Sequence, residues 1–128
     1  MKKEWEQAVR RGDAGTLKRL LEDGHPIDSR NGHGQTALMI ASQLGHTECV
    51  ALLVGNGAEL NHTAKYRLSA LMLAVLNNHS SIVEILCDAG ADLQIRGTGA
   101  PGFADKTAFD LAEGAGRSEI LELLRNAG

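Results

Sequence analysis

Gly97, Gly99 and Gly102 stand in the spacing G-x-G-x-x-G within "RGTGAPGFADKT". Between a strand and the first turn of a helix, that spacing brings backbone amides round a pyrophosphate. Neither flank is present. The segment follows the extended connection "ADLQI", its next helix opens only near Thr107, and Pro101 removes one amide donor. The glycines therefore predict an insertion loop, not a phosphate cradle. The five histidines are equally unpromising for metal chemistry. None is paired at i, i+4 on a helix, the arrangement of a zinc hydrolase. His46 and His79 are read as structural hydrogen-bonding groups at turns, His33 sits on a loop, and His25 and His62 flank connections. Cys49 and Cys87 fall in helices without zinc spacing or neighbouring positive charge, so buried, inert thiols are expected. Carboxylates are dispersed; Asp110 opens a helix, where the N-terminal dipole favours it without catalysis. The chain is read as having no catalytic, cofactor-binding or metal-binding residue.

Composition bounds the remaining classes. A chain of 128 residues is most economically one domain, burying roughly two-thirds of its unfolded surface. Aromatics make up 3%, so aliphatic side chains and alanine must build the core. The formal charge of −3, without a basic block, argues against nucleic acid, which needs a concentrated cationic face. The start "MKKEWEQAV" has no apolar run behind its lysines, and no stretch is long enough to span a bilayer. A cytoplasmic location and no membrane partner are expected.

The positioning elements come from a repeat. Gly24, Gly57, Gly90 and Gly128 follow one another at steps of 33, 33 and 38 residues, as do Ala8, Ala41, Ala74 and Ala112, and Leu20, Leu53, Leu86 and Leu124. Each period reads as two short helices. The first opens at a hydroxyl residue (Thr36, Ser69 or Thr107) suited to cap free amides. It stops at Gly12, Gly45, Asn78 or Gly116, residues that tolerate a left-handed backbone. Helices this short do not persist alone, so the pairs must stack into an α-solenoid with one continuous core.

"TALMIA", "SALMLA" and "TAFDLA", with "GHTECV", "GNGAELN" and "AGADLQ", resemble the ankyrin-repeat pattern. The resemblance is strong over residues 31–94 and looser at either end. It implies an all-α solenoid of stacked helix-turn-helix units with β-hairpin-like finger loops. The units are an N-terminal capping repeat at 1–30, repeats at 31–63 and 64–96, and a C-terminal capping repeat at 97–128 with a five-residue loop insertion. The family's Pro-Leu-His is replaced by Ala-Leu-Met twice and Ala-Phe-Asp once.

The resemblance also implies protein binding, through finger tips and the exposed edges of first helices. By position these are Gly32, His33, Gln35, Lys65, Tyr66, Leu68, Phe103, Ala104 and Lys106 on fingers, and Arg10, Arg11, Gln43, Leu44, Leu76, Asn77, Gly114 and Ala115 on helices. Leu44, Tyr66, Leu68, Leu76 and Phe103 would form an apolar concave strip, rimmed by Arg10, Arg11, Lys65 and Arg67. Phe103 has two open roles, contacting a partner or folding back over the last unit. The expected molecule is a monomeric, non-catalytic module whose ending at the last cap suggests an adaptor, inhibitor or neutralising partner. A small enzyme with a spatially assembled site and a self-assembling structural unit are the alternatives.

Overall fold

A computed structural model describes residues 1–128 as eight helices and no strands. They are α1 (Lys3–Arg11), α2 (Ala14–Glu22), α3 (Ala37–Leu44), α4 (Thr47–Gly55), α5 (Ala70–Leu76), α6 (Ser80–Asp88), α7 (Ala108–Gly114) and α8 (Ser118–Ala127). Hydroxyl caps start three of the four first helices. Thr36, Ser69 and Thr107 accept from the amides of Met39, Met72 and Asp110. Thr107 and Asp110 satisfy each other's amides in a reciprocal capping box. Gly12, Gly45, Asn78 and Gly116, with φ between 60° and 82°, end these helices in the left-handed conformation expected of them. Each of the first three second helices closes alike: His25, Ala58 and Ala91 donate amides to Leu20, Leu53 and Leu86 at 3.0 Å.

Packing follows the register. First helices lie in one layer, α1 on α3 on α5 on α7; second helices lie in the other, α2 on α4 on α6 on α8. One hydrophobic cluster runs from Trp5 to Leu124 without interruption. Alanines at 8, 41, 74 and 112 are all fully buried, small enough to let the layers approach. Trp5 and Phe109 occupy the place that Leu38 and Leu71 hold in the middle units. At the N-terminal end the Trp5 ring stacks on His25, with centroids 4.4 Å apart and planes at 14°. His25 replaces the alanine of units two and three, so a ring pair fills the end of the core.

A polar ladder sets the spacing between units. The Nε2–H of His46 donates to the carbonyl of Arg10 at 2.9 Å, and that of His79 to the carbonyl of Gln43 at 3.0 Å. Arg117 continues the ladder, with Nη2 3.4 Å from the carbonyl of Leu76. These bonds satisfy carbonyls that the ends of α1, α3 and α5 would otherwise leave open. The structural role expected of the two histidines is what they perform; their counterpart Arg117 was not anticipated. The histidine rings also explain two glycines. A Cβ at Gly12 would stand 2.8 Å from His46 Nδ1, and one at Gly45 would stand 2.6 Å from His79 Cε1. Asn78 keeps its Cβ where the neighbouring unit inserts the flexible Arg117 instead. A second ladder links the connections, Asp28 Oδ1 accepting from the amide of Glu59 and Asn61 Oδ1 from that of Asp92, at 2.9 and 2.8 Å.

Two measurements test this account. Gly90 has φ +91° with nothing near its missing Cβ, whereas Gly45 has φ +82° with the His79 ring against it. Gly90→Ala is expected to cost about 1 kcal/mol for backbone strain alone. Gly45→Ala is expected to cost at least about 1 kcal/mol more in urea unfolding, because it also displaces the ring and its hydrogen bond. Equal costs would remove the ladder's role. Burial holds the pKa of His25 below its ordinary 6.5. The unfolded chain therefore takes up a proton that the folded chain refuses. Stability falls as pH drops below 6.5 toward the folded-state value. His25→Phe, which retains an aromatic ring beside Trp5, is expected to flatten that part of the pH–stability curve.

Candidate functional site

The three fingers are short hairpin-like turns, each stitched differently. In the first, Asn31 accepts at Oδ1 from the amides of His33 and Gln35, and its side-chain amide donates to Gln35 Oε1. Arg30 Nη1 joins this finger to the next, donating to the carbonyls of Gly34 at 2.8 Å and Thr63 at 3.0 Å. In the second, the amides of Ala64 and Arg67 bond to the carbonyls of Leu68 and Ala64, and Thr63 bridges Ser69 antiparallel. In the third, Gly97 pairs with Lys106 and Asp105 at 2.9 Å, while Phe103 and Ala104 both donate to Ala100.

This third finger contains the G-x-G-x-x-G segment, and its backbone is committed to itself. Gly97 is buried, and a Cβ there would run into the carbonyl of Phe103, so only glycine lets the two sides of the finger close. Gly99 has φ +82° and lies against the Tyr66 ring, 2.9 Å from where its Cβ would be. The glycines permit close approach within and between fingers. The helix that follows already carries its own anion, the Asp110 carboxylate. The Thr107 amide holds that carboxylate's pKa below the ordinary range, so it stays charged.

Strain concentrates at the second tip. Tyr66 and Arg67 both have left-handed backbones, with φ 60° and 56°. Hairpins commonly place asparagine and glycine in such a pair, because other side chains cost about 1–2 kcal/mol each there. The third finger holds the strained tip in place. The amide of Thr98 donates to the Tyr66 carbonyl at 2.8 Å, and the Phe103 ring packs on Tyr66 with centroids 5.3 Å apart at 42°. Phe103 leans sideways on the neighbouring finger and packs against the edge of the core, half-buried. Lys65 Nζ lies 5.0 Å from the centre of the Tyr66 ring, within cation–π reach.

Between these tips and the first helices is a groove of about 290 Å³, lined by Gln35, Gln43, Ala64, Lys65, Tyr66, Leu68, Leu73, Leu76, Asn77 and Phe103. Eight of the thirteen principal sequence-derived candidates line it together. Five do not. His33 is exposed on the first finger and Lys106 borders a separate depression with Leu76 and Gly102. Leu44, 45% exposed, is outside the groove lining. Arg10 and Arg11 belong to the first unit, where Arg10 makes a double contact with Glu6 at 2.7 and 3.1 Å and Arg11 approaches Asp13 at 3.4 Å. The expected cationic rim from α1 is therefore largely answered by carboxylates within the chain. Leu68 also differs from expectation: it is 7% exposed and belongs to the core, forming the groove's base rather than a surface anchor. Leu73 and Ala64 are groove residues that position in the repeat did not single out.

Elsewhere the reactive side chains are held quiet. Cys49 is buried, with burial and the nearby Glu48 and Asp13 raising its pKa to about 11. Cys87 is half-buried and its pKa is likewise raised by burial. Neither is poised as a thiolate nucleophile.

Stacked helix pairs with projecting hairpins and a concave groove define an α-solenoid built to present a surface. The family model for ankyrin repeats in three copies matches residues 5–97, and the chain belongs to the ankyrin-repeat family. Residues 98–128 lie beyond that match, yet α7 and α8 stack in the same two layers. The chain is 38% identical over 87 residues to the inactive serine/threonine-protein kinase TEX14 of Bos taurus, covering 68% of this chain and 6% of that protein. It is 39% identical over 106 residues to ankyrin repeat and SAM domain-containing protein 6 of Rattus norvegicus, covering 81% and 11%. With ankyrin repeat domain-containing protein 29 of Homo sapiens, it shares 47% over 55 residues, covering 42% and 18%. The chain thus spans less than a fifth of each of these relatives. Ankyrin repeats are non-catalytic protein-interaction modules, and no helix here is long and apolar enough to cross a membrane.

Relaxing the strained tip is expected to separate stability from surface shape. Arg67→Gly should raise the urea midpoint, by about 1 kcal/mol of unfolding free energy, because glycine adopts positive φ freely. An unchanged or lower midpoint would show that the tip carries no such strain.

Proposed function

We propose that this chain is a monomeric adaptor, inhibitor or neutralising partner that holds another protein in the groove between its finger tips and first helices. The observation carrying this reading is the retained strain at Tyr66 and Arg67, which puts an aromatic pair and a lysine over an apolar floor. Backbone strain of about 1–3 kcal/mol per residue persists where surrounding structure enforces it, and clusters at sites that bind. Aromatic anchors beside a small apolar recess are the composition of an interaction hot spot.

The mechanism is rigid presentation. The floor comes from α3 and α5, whose ends are held by His79 and Arg117 of the polar ladder, and the walls come from fingers that brace one another. Little ordering remains to be done when a partner docks, so more of the contact energy is left for affinity.

Affinity capture from an extract of the source cells tests this reading. The native chain and a Glu84→Ala control, altered on the opposite layer, are expected to retain the same proteins. Tyr66→Ala combined with Phe103→Ala is expected to lose at least about tenfold of that retention, a change of roughly 1.4 kcal/mol, with unchanged helical circular dichroism. Retention unaffected by the double substitution would refute a finger-centred site.

A further inference from the structure

We infer that the groove takes an extended acidic segment of a partner protein, with one bulky apolar side chain seated among Tyr66, Leu76 and Phe103 and carboxylates on either side of it. This rests on the protein-binding reading above and gives the partner a chemistry. The first support is the distribution of charge. Finger residues 29–36, 62–69 and 95–107 carry Arg30, Lys65, Arg67, Arg96 and Lys106 against a single carboxylate, Asp105, in a chain of net charge −3. Asp105 is already 3.6 Å from Arg96. The ion pairs within 4.0 Å involve none of Lys65, Arg67 and Lys106, all three exposed. A cationic edge without ion-pair partners in the chain favours an anionic guest and repels a basic one.

The second support is the floor. α3 reads "ALMIASQL" and α5 reads "ALMLAVL", with no charged residue in either. An apolar base under a cationic edge asks for both properties in the same ligand. Size favours one side chain on a peptide over a free small molecule, since about 290 Å³ falls at the bottom of the range for small-molecule pockets. The separate depression bordered by Lys106, Asp110 and Gly114 adjoins the groove at Leu76, which lines both. An extended guest lying across Leu76 would reach from unit two to unit four, its far end placed to meet Lys106 beside the Asp110 carboxylate. Two inter-helix steps of about 8–10 Å span roughly six residues of extended chain.

Single-stranded nucleic acid would also seek cations and aromatic rings. The Tyr66 and Phe103 rings, however, pack on each other instead of standing apart as platforms for successive bases. The uncharged floor likewise offers no cationic track for a phosphate backbone.

Fluorescence anisotropy with labelled nine-residue peptides provides the test. A central Phe, Leu or Ala is combined with flanks of Glu and Asp, of Gln and Ser, or of Lys and Arg. With the native chain, the acidic Phe or Leu peptides should bind at least about tenfold tighter than their neutral counterparts, and weaken in about 0.5 M salt. Central Ala should lose about tenfold, and Lys65→Glu with Arg67→Glu should reverse the charge preference. Neutral or basic peptides binding as tightly as acidic ones would overturn the inference. If that binding still requires Tyr66 and Phe103, the groove itself stands as a protein site. A labelled ten-residue oligothymidine binding more tightly than every peptide would overturn it in favour of nucleic acid. Absence of peptide binding at roughly millimolar concentration would also overturn it, leaving the capture experiment to decide separately whether the groove holds a folded protein.

Discussion

The structure depends on contact between units, because no unit can stand by itself. Its helices have seven to ten residues, below the length at which a helix persists in water. Each pair packs its own two helices together and completes its apolar burial against the pair beside it. The contact is directional as well as greasy: a ring or guanidinium from one unit reaches the open carbonyl at the end of the previous first helix. That bond fixes how far and in what orientation neighbouring pairs are offset. The left-handed glycines make room for the histidines, so backbone conformation and side-chain identity on adjacent units are tied to one another.

The same stacking explains why a surface can be both apolar and well ordered. α3 and α5 carry no acidic residue, and the fingers carry most of their charge as cations. A packed monomer has no need of an aromatic pair over a shallow recess, nor of two bulky residues in backbone conformations better suited to glycine. The fold tolerates both because the third finger braces the second through a main-chain hydrogen bond and a ring contact. The glycine-rich insertion is part of that brace, since its small residues let one loop lie against the next.

Much of the fold was legible before any coordinates, for a physical reason. Caps, left-handed terminators and buried alanines are local requirements, and a period of 33 repeats them often enough to stand out from chance. The histidines at 46 and 79 were legible for the same reason. Arg117 was not, because a different residue type fills that place after a longer interval. Side-chain partnerships across the surface were also opaque. Glu6 lies one helical turn from Arg10, yet whether that arginine turns to it or to a guest depends on rotamers. Leu68 reads as a tip residue by position, but the chain bends at Arg67 and carries it inward. The Tyr66–Phe103 contact joins loops whose lengths differ, so periodicity gave no guide to it.

In a stack every unit leans only on its neighbours. Phe103 belongs to the fourth unit and Tyr66 to the third, so the groove straddles the junction between them. Any guest seated between them acts as a clasp across that seam. Occupancy and integrity of that junction then rise and fall together, and slow amide exchange in α8 becomes a gauge of whether the groove is full.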